Sequence, residues 1–567
     1  MDIIVACTSK SPEICKKIKS ISKTLYNVPL TQAVNRAHFS ILHSNSAQTF
    51  ENKDTIVALA GYHSSQPQDV LETAAQALDA APKPLNEQLS IGGVHSLIAT
   101  RRDQLVAWAS IPASGTLYYT CMETGIVISN RPKLLALLVA AEIDPSYISY
   151  ALTVGYPIDD TTPYMGVKAL LAGYAIHAQG NQVHIVRRRL SKASNAPKKP
   201  EDKLTAEENF RKELVRACSV VTRYKQPELR LSGGKDSRLI VSALFAGGYK
   251  VICHARGQGE DAEIAETIAR KLKFEFKNTI PKPLDAVAFE EGVRTSLKLS
   301  DGFVETEAHV GLTIPFKISE RQDAILYGHS HLQKGGFART MAASDKEYAL
   351  DFLKKAVVPE YIQQSERENL LGKLEEIISM FKYKAPIDIL YAPYAVLRAG
   401  RYLEPLYLKT ASAYVPVYPL NDERMYIASG RVCRAARTNE TIVYNTINKN
   451  APQLEGMPLC EDKWRFQPAN MLPKPKVNEA NFATESTPNE FRKMVQMARE
   501  RVKDSSVLDL AKTLLDPEII GKCGLGEVTD TDNFKFLNRH AAKLIMRMYF
   551  LQTLIDTWEH EKSLVLT

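Results

Sequence analysis

The chain has 567 residues, of which 45% are hydrophobic and 24% charged, and its 72 basic and 64 acidic residues give a net charge of +8. The mean hydropathy of −0.21 and the lack of an apolar run of membrane-spanning length exclude a collagen, a disordered tail protein and an integral membrane protein. A single core stops growing near ~250–300 residues, so the length predicts two domains, with room for a small third one. The basic residues are scattered, which suits anionic phosphates without indicating nucleic acid.

The start of the chain is not typical of a signal peptide, because its lysines follow a short apolar stretch instead of preceding it. We therefore expect a cytoplasmic protein. Its eight cysteines lie far apart, with no Cys-x-x-Cys pair and no Cys/His cluster at metal-ligand spacing. Reduced and mainly buried thiols are expected.

Residues 1–190 show short β-rich runs separated by turns. The predicted strands are 94–99, 104–110, 115–120, 125–129, 174–177 and 182–186, and the predicted helices are 68–80 and 132–141. Strands at this spacing with few long helices indicate an α+β domain, a β sandwich with helices packed outside. Residues 191–205 then change to Ser, Ala, Asn, Pro and Lys, which predicts a solvated linker between domains.

After the linker the spacing of the hydrophobic residues changes, and predicted strands alternate with predicted helices. We predict helices at 206–222, 236–247 and 261–272 and strands at 228–231 and 250–255. This alternation indicates a parallel α/β sheet in a domain of residues 206–480. Helical periodicity then dominates at 366–381, 388–401 and 539–558, and residues 481–567 are expected to be a helical extension of that domain.

The strongest chemical signal falls where a predicted strand turns into a helix. It reads Leu231-Ser232-Gly233-Gly234-Lys235-Asp236-Ser237-Arg238. Two glycines would let the backbone curl so that its amides and the two serine hydroxyls converge on the helix N-terminus, where the dipole favours phosphate. Asp236 would hold Mg²⁺, which offsets the charge of a leaving pyrophosphate. The alternative is a plain Ser-Gly turn, but the strand-to-helix context favours a pyrophosphate cradle.

This loop resembles the PP-loop of ATP pyrophosphatases, and the wider arrangement resembles the asparagine synthetase family, which includes β-lactam synthetases and lasso-peptide cyclases. Segments that echo the family's glutaminase-like domain occur in the same order, at 92–93, 117–119, 128–133 and 160–167, and residues 257–272 are similar to the acidic helix after the second synthetase strand. The resemblance implies an Ntn-hydrolase-like sandwich followed by a PP-loop synthetase domain that binds ATP.

The N-terminus departs from this family. Glutamine-dependent members need a cysteine at the processed N-terminus, whose own α-amino group activates the thiol. Here Met1 is followed by Asp2, and Cys7 lies inside an apolar run that predicts a strand core. We therefore expect residues 1–190 to be an inactive scaffold and the amine to come from the substrate.

A second signal, residues 325–337, runs from an apolar strand end into a loop with the sequence Gly328-His329-Ser330-His331-Leu332-Gln333-Lys334. By the resemblance, Gly328 faces the ATP and His329 takes the place of a catalytic group. An imidazole that titrates near neutrality can accept the proton of an attacking amine. Leu332 stands where relatives carry a second Mg²⁺-binding aspartate. Three alternatives stay open: His331 could substitute, Asp236 could hold the metal with water and phosphate oxygens alone, or Lys334 could neutralise pyrophosphate instead.

A third region spans residues 398–468. Residues 417–422 resemble the family's Pro-Phe-Leu-Asp stretch, and residues 460–468 resemble its lysine-bearing loop. By that resemblance Lys463 would stabilise the charge on the tetrahedral acyl intermediate. Arg398 and Arg401 are candidates for phosphate or carboxylate contacts, against the alternative of ordinary ion pairs.

Together these features predict an ATP- and Mg²⁺-dependent, AMP-forming ligase. It would adenylate the carboxylate of a small molecule or peptide and join it to an amine, giving an amide or lactam in natural-product or modified-peptide biosynthesis. A helper protein could deliver a peptide, whereas neither a membrane nor nucleic acid is expected as a partner. Two alternatives stay open: a PP-loop sulfurtransferase or nucleobase-modifying enzyme, which Lys235 would also suit, and a non-catalytic nucleotide- or peptide-binding protein.

Overall fold

The computed structural model describes residues 1–8, 12–35, 39–80, 90–112, 115–123, 125–180, 182–188, 200–280, 285–305, 323–338, 345–381, 386, 388–460, 463–468, 486–525 and 539–566. These residues form 17 strands in three sheets and 19 α-helices. Two sheets are antiparallel and the third is parallel, so the described part of the chain is a mixed α/β structure.

The first half of the chain forms the two antiparallel sheets. Its strands are β1 (Ile4–Cys7), β2 (Leu30–Asn35), β3 (Ser40–Ser44), β4 (Gln48–Glu51), β5 (Thr55–Tyr62), β6 (Val94–Arg101), β7 (Gln104–Ala109), β8 (Tyr118–Met122), β9 (Gly125–Ser129), β10 (Lys168–Ala169), β11 (Tyr174–Gln179) and β12 (Gln182–Arg187). The first sheet has the order β10-β8-β9-β1-β3-β2, and the second has the order β12-β11-β7-β6-β5-β4.

Side chains alternate along these strands and so divide their hydrophobic residues between two faces. In β1, Ile4 and Ala6 point into the space between the sheets, whereas Val5 and Cys7 pack against helices outside. The helices of this half are α1 (Pro12–Tyr26), α2 (Pro67–Asp79), α3 (Pro132–Leu138) and α4 (Pro145–Leu152). α1 and α3 cover the first sheet and α2 covers the second, which confirms the predicted sandwich with helices outside.

The second half contains the parallel sheet and its crossover helices. In chain order these are α5 (Pro200–Cys218), β13 (Glu228–Arg230), α6 (Lys235–Ala246), β14 (Ile252–Arg256), α7 (Glu260–Lys271), β15 (Glu275–Thr279), α8 (Ala286–Leu299), β16 (Ala324–Leu326) and β17 (Val415–Val417). The sheet order is β15-β14-β13-β16-β17, and all neighbours are parallel. The predicted α/β alternation is confirmed. The linker predicted at 191–205 ends earlier than expected, because α5 already begins at Pro200; residues 191–199 lie outside the described residues.

The remaining helices follow β16 or flank β17. They are α9 (Lys346–Val357), α10 (Gln364–Ser379), α11 (Asp388–Val396), α12 (Glu404–Ala411), α13 (Glu423–Arg431), α14 (Arg434–Thr438), α15 (Thr441–Asn450), α16 (Ser486–Val502), α17 (Ser506–Leu514), α18 (Pro517–Lys522) and α19 (Arg539–Leu566). The helix predicted at 388–401 is not continuous, because after Val396 the chain forms a π-helical turn at Leu397–Tyr402. Such turns are frequent at functional sites.

The helical extension contacts both halves of the chain. α19 packs on α8 of the second half and on α1, α3 and α4 of the first. Trp558 on α19 donates a hydrogen bond of 2.9 Å to the carbonyl oxygen of Ala141, and its ring lies 4.5 Å from that of Tyr164. The described part of residues 481–567, predicted to be a helical extension of the synthetase domain, therefore also packs against the sandwich. Among the described helices, none combines the length and apolarity needed to cross a bilayer.

Candidate active site

The candidate site lies at the carboxyl edge of the parallel sheet, beside its central strand β13. The chain moves outward from β13 through β14 to β15 and then returns to β16 on the other side of β13. Strand order thus reverses between β13 and β16, and ligands of open parallel sheets bind in the crevice at such a reversal. The segments that leave these two strand ends, 231–234 and 327–331, contain most of the predicted site residues.

Gly328 lets these two segments touch. A Cβ at this position would lie 2.8 Å from the backbone nitrogen of Ser237 and 3.1 Å from the Cβ of Asp236. Such distances are shorter than a carbon contact allows, so only glycine permits the loop after β16 to approach the start of α6 this closely. The structure therefore brings Gly328 against the predicted phosphate loop.

Side-chain oxygens hold the phosphate loop in shape. The backbone nitrogen of Ser232 donates to Ser237 Oγ at 3.1 Å, and the two hydroxyl oxygens lie 2.9 Å apart. The backbone nitrogen of Gly234 donates to Ser232 Oγ at 3.2 Å, and that of Gly233 donates to Asp261 Oδ1 at 2.9 Å. The amides of residues 232–234 thus have protein partners, which leaves the first-turn amides of α6 as the donors best placed for an anion.

The backbone of the two glycines does not show the expected curl, and packing explains only the first of them. Neither adopts the left-handed conformation, and Gly234 is extended with φ −80° and ψ 173°. A Cβ on Gly233, however, would lie 2.8 Å from the Cβ of Cys460. Close packing of the segment around Cys460 therefore explains Gly233. Leu231 continues the β-ladder by donating to the carbonyl of His254 at 3.1 Å, and its buried side chain belongs to the core.

Lys235 is directed into a buried ion pair. Its ammonium donates to Glu440 Oε2 at 2.7 Å and to the carbonyl oxygen of Lys463 at 2.6 Å, and it lies 5.3 Å from the centre of the Trp464 ring. Both charged side chains of the pair are almost fully buried. The contact of Lys235 with phosphate stays a prediction, whereas its observed role is to fix the 463–465 segment against the phosphate loop.

Asp236 faces the crevice and pairs with Lys334. Lys334 Nζ lies 2.8 Å from Asp236 Oδ2, and the lysine side chain is 7% exposed while the aspartate side chain is 20% exposed. Burial raises the pKa of Asp236, and the ammonium of Lys334 partly opposes that rise. The structure therefore joins two predicted site residues that stand 98 positions apart in the chain.

A Mg²⁺ ion was expected at Asp236, but the described residues do not fit one. Mg²⁺ requires oxygen ligands at about 2.0–2.1 Å in near-octahedral geometry. Lys334 occupies the side of Oδ2, and Leu332, at the place of the second aspartate, is fully buried in an apolar cluster. Within the described ranges, no group of three or more His, Cys, Asp or Glu side chains is arranged to hold a metal ion. Mg²⁺ stays a prediction of the resemblance.

His329 lies in the loop after β16, one residue beyond Gly328. Its side chain is exposed to solvent, yet burial among surrounding atoms and, second, the nearby charge of Arg398 lower its pKa to about 4. This combination is typical of a narrow cleft, where water reaches a group that is poorly solvated. The ring stacks on Tyr327 at 5.5 Å. His329 is therefore neutral at physiological pH, whereas the sequence predicted an imidazole that titrates near neutrality.

Arg398 and Arg401 lie on the π-helical turn but differ in environment. The Arg398 guanidinium sits 3.2 Å from the centre of the Tyr402 ring and is close enough to His329 to lower its pKa. Arg401 is buried, donates to the carbonyl oxygen of Thr161 and supports the contact with the sandwich. Arg398 is thus the cation of this pair that faces the cleft.

Lys463 joins the site through its backbone. Its carbonyl accepts the bond from Lys235, while its side chain is exposed. Residues 461–462 of the same predicted loop lie outside the described residues. The role of Lys463 in stabilising an oxyanion stays a prediction.

Three residues that organise the site were not singled out in the sequence. Asp261 holds the Gly233 amide, Glu440 pairs with Lys235, and the Arg465 guanidinium donates to the carbonyl oxygen of Lys334 at 3.0 Å. The acidic first turn of α7 was a signal for Asp261. Glu440 and Arg465 have no local signal, because their partners come from distant segments.

The expected N-terminal scaffold contains no exposed thiol at its start. Cys7 is fully buried in β1, and a hydrogen bond with Cys15, together with burial, raises the pKa of Cys7 well above its usual value. Asp2 accepts a hydrogen bond of 3.0 Å from the amide of Gly61. These contacts favour a packing role for Cys7, and an inactive scaffold stays a prediction.

Comparisons with known proteins add little to this geometry. No protein-family model and no curated protein matches the chain. A solved structure described as the allosteric regulatory enzyme of purine biosynthesis aligns with 8% identity, covering 50% of this chain and 82% of that one with a TM-score of 0.23. Glutamine phosphoribosylpyrophosphate amidotransferase from B. subtilis, in complex with ADP and GMP, aligns with 8% identity over 49% of this chain and 90% of that one, also at 0.23. TM-scores this low do not establish a shared fold, so the function is inferred from the residues of the cleft.

Proposed function

We propose that this chain is an ATP-dependent, AMP-forming ligase that adenylates a substrate carboxylate and joins it to an amine. The observation that carries the proposal is the meeting of two loops at the strand-order reversal: the serine–glycine loop before α6 and the loop of Gly328 and His329 after β16. One loop suits phosphate and the other presents a neutral imidazole, which are the two chemical requirements of the reaction.

The adenylation half of the reaction uses the phosphate loop. The substrate carboxylate attacks the α-phosphorus of ATP, the bond from that phosphorus to the bridging oxygen breaks, and pyrophosphate leaves. The first-turn amides of α6 and the helix dipole stabilise the leaving anion. Ser232 and Ser237 keep the loop rigid, so little reorganisation is needed when phosphate binds. Lys334 supplies a positive charge next to that position.

The amide-forming half uses the other side of the cleft. The amine attacks the acyl carbonyl, AMP leaves, and the amine proton passes to the neutral ring of His329. A base with a pKa of about 4 is weak in the free protein. An anionic acyl-adenylate beside Arg398 would offset the arginine charge that contributes to this low pKa and would strengthen the base. Lys463 is proposed to stabilise the oxyanion.

The substrate is proposed to be a small molecule or peptide that carries a carboxylate and an amine. An amide or a lactam in natural-product or modified-peptide biosynthesis is the proposed product, with ATP as the co-substrate and a helper protein as one route of peptide delivery. These finer points derive from the sequence resemblance. The aromatic rings of Tyr327 and Tyr394, which stack on His329 and His331, are compatible with an organic acyl group of that kind.

A nucleotide-binding protein without turnover is the second candidate. Leu332 at the place of the second aspartate and the ion pair of Asp236 with Lys334 favour it, because both reduce the capacity of this loop to hold the metal ion that commonly assists phosphoryl transfer. The sulfurtransferase alternative depended on Lys235, and the observed pairing of that lysine with Glu440 gives it no support.

Substrate-dependent exchange of labelled pyrophosphate into ATP separates these candidates. The wild type is compared with Asp236→Asn and with the control Asp345→Asn, which alters a surface aspartate that caps α9. Amino acids, diacids and peptides serve as carboxylates, with and without added Mg²⁺. Exchange in the wild type and the control supports the ligase, and Asp236→Asn should weaken it because Asp236 orients the Lys334 ammonium beside the proposed pyrophosphate position. ATP binding without exchange across the panel supports the binding protein, and failure to bind ATP refutes both.

A further inference from the structure

The cation beside Asp236 belongs to the protein itself. Lys334 Nζ lies 2.8 Å from the carboxylate, with the lysine side chain more deeply buried than the aspartate. Asp236 is in the first turn of α6, where the proposed pyrophosphate would lie. The ammonium therefore stands at the position where a nucleotide-binding site usually needs a positive charge to offset phosphate.

The backbone around Lys334 is held firmly in place. Leu332–Lys334 form a short 3-10 turn that ends at Gly335 in the left-handed conformation, with φ +88°. A Cβ on the next residue, Gly336, would lie 2.7 Å from the carbonyl oxygen of Leu390, so this backbone is packed directly against α11. The Arg465 guanidinium also binds the carbonyl oxygen of Lys334 at 3.0 Å. Lys334 is thus a built part of the site and not a surface lysine that happens to reach a carboxylate.

The same arrangement disfavours a divalent ion at Asp236. Leu332 offers no ligand at the second position, and an ammonium in contact with Oδ2 would repel a metal ion bound to that carboxylate. We propose that Lys334 takes the place of the divalent cation, so that the loop binds the pyrophosphate group of its nucleotide without Mg²⁺. This inference rests on the proposed nucleotide-binding function and specifies how its charge is balanced.

Isothermal titration calorimetry with inorganic pyrophosphate tests the inference on the full chain, once in EDTA and once in excess MgCl₂. The wild type should bind with dissociation constants that agree within about threefold, or about 0.7 kcal/mol, in the two buffers, because Lys334 supplies the charge in both. Lys334→Met should weaken binding in EDTA by about tenfold or more, as expected from loss of a charge-assisted contact. Mg²⁺ should restore much of that loss, because the freed Asp236 can then ligate it.

Two further variants serve as controls. Lys334→Met together with Asp236→Asn removes both charges, so that no buried carboxylate is left unpaired and folding is preserved; this double variant should bind weakly in both buffers. Lys354→Met removes the ammonium of an exposed ion pair with Glu375 and should bind like the wild type. Circular dichroism establishes that each variant is folded.

The outcomes separate this inference from the function on which it rests. Pyrophosphate binding by the wild type only with Mg²⁺, or equal binding by Lys334→Met and wild type in EDTA, overturns the inference while leaving a nucleotide site in place. Absence of binding in both buffers overturns the inference and the proposed phosphate loop together.

Discussion

Asp422 joins the two halves of the chain, and its removal should be strongly destabilising. The residue is fully buried at the N-terminus of α13, where Oδ1 accepts from the backbone nitrogen of Arg424 at 2.8 Å. Oδ2 accepts from the backbone nitrogen of Gly93 at 2.6 Å and from Ser64 Oγ at 3.1 Å, both in the sandwich. One carboxylate thus caps a helix of the second half and binds a loop of the first.

The expected loss of stability follows from these contacts. Loss of the helix cap in Asp422→Ala costs about 1 kcal/mol. The buried Gly93 amide loses its acceptor, at about 1–3 kcal/mol for an unsatisfied buried group, and the half-buried Ser64 hydroxyl loses one hydrogen bond, at about 1 kcal/mol. Arg216, 3.3 Å from Oδ1, is partly exposed and also pairs with Glu213, so its contribution is small. We expect a total loss of about 3–5 kcal/mol in the free energy of unfolding.

Urea unfolding followed by circular dichroism and by tryptophan fluorescence measures this loss, and coincidence of the two transitions establishes that a single free energy applies. Asp345→Ala is the matched control, because Asp345 also caps a helix, accepting from the Tyr348 amide at 2.7 Å, but is exposed and remote from the sandwich contact. It should cost only about 1 kcal/mol. If Asp422→Ala cost no more than Asp345→Ala, the proposed junction between the halves would be refuted.

Three further predictions concern the cleft. His329→Asn should retain pyrophosphate exchange but lower amide formation about 10²–10⁴-fold. The pH profile of kcat/KM for the wild type should show its acid limb near pH 4, because protonation of His329 removes the proton acceptor. An acid limb near pH 6.5 would contradict this. Arg398→Ala should raise the pKa of His329, because it removes a positive charge, and imidazole NMR titration would show no change if Arg398 faced elsewhere. Gly233→Ala should destabilise the protein by about 1–3 kcal/mol, because the added Cβ would collide with Cys460. Gly372→Ala, on an open helix surface, should be neutral or stabilising in the same thermal melts. Equal effects would argue against the close approach of Gly233 to Cys460.

Local patterns were sufficient to predict the layered sandwich and the parallel sheet. The alternation of β6 and β7 and the switch to longer helical periods after residue 200 are short-range signals that survive folding. The strands β2–β5 and helix α1 were not predicted, since their patterns are short and their stability comes from neighbours distant in sequence. The helix predicted at 388–401 was wrong after Val396, where tertiary contacts of the π-helical turn override propensity.

For the site, the sequence alone determined which residues to consider. It predicted the loop at the end of β13, the loop at the end of β16 and their chemical types, because strand-to-helix turns and glycine positions are local properties. Only the tertiary structure decided how those residues are used: it directs Lys235 to Glu440, places Lys334 on Asp236 and gives His329 a pKa of about 4. Partners, burial and electrostatic environment depend on contacts between segments up to 228 positions apart, and no local pattern encodes such contacts.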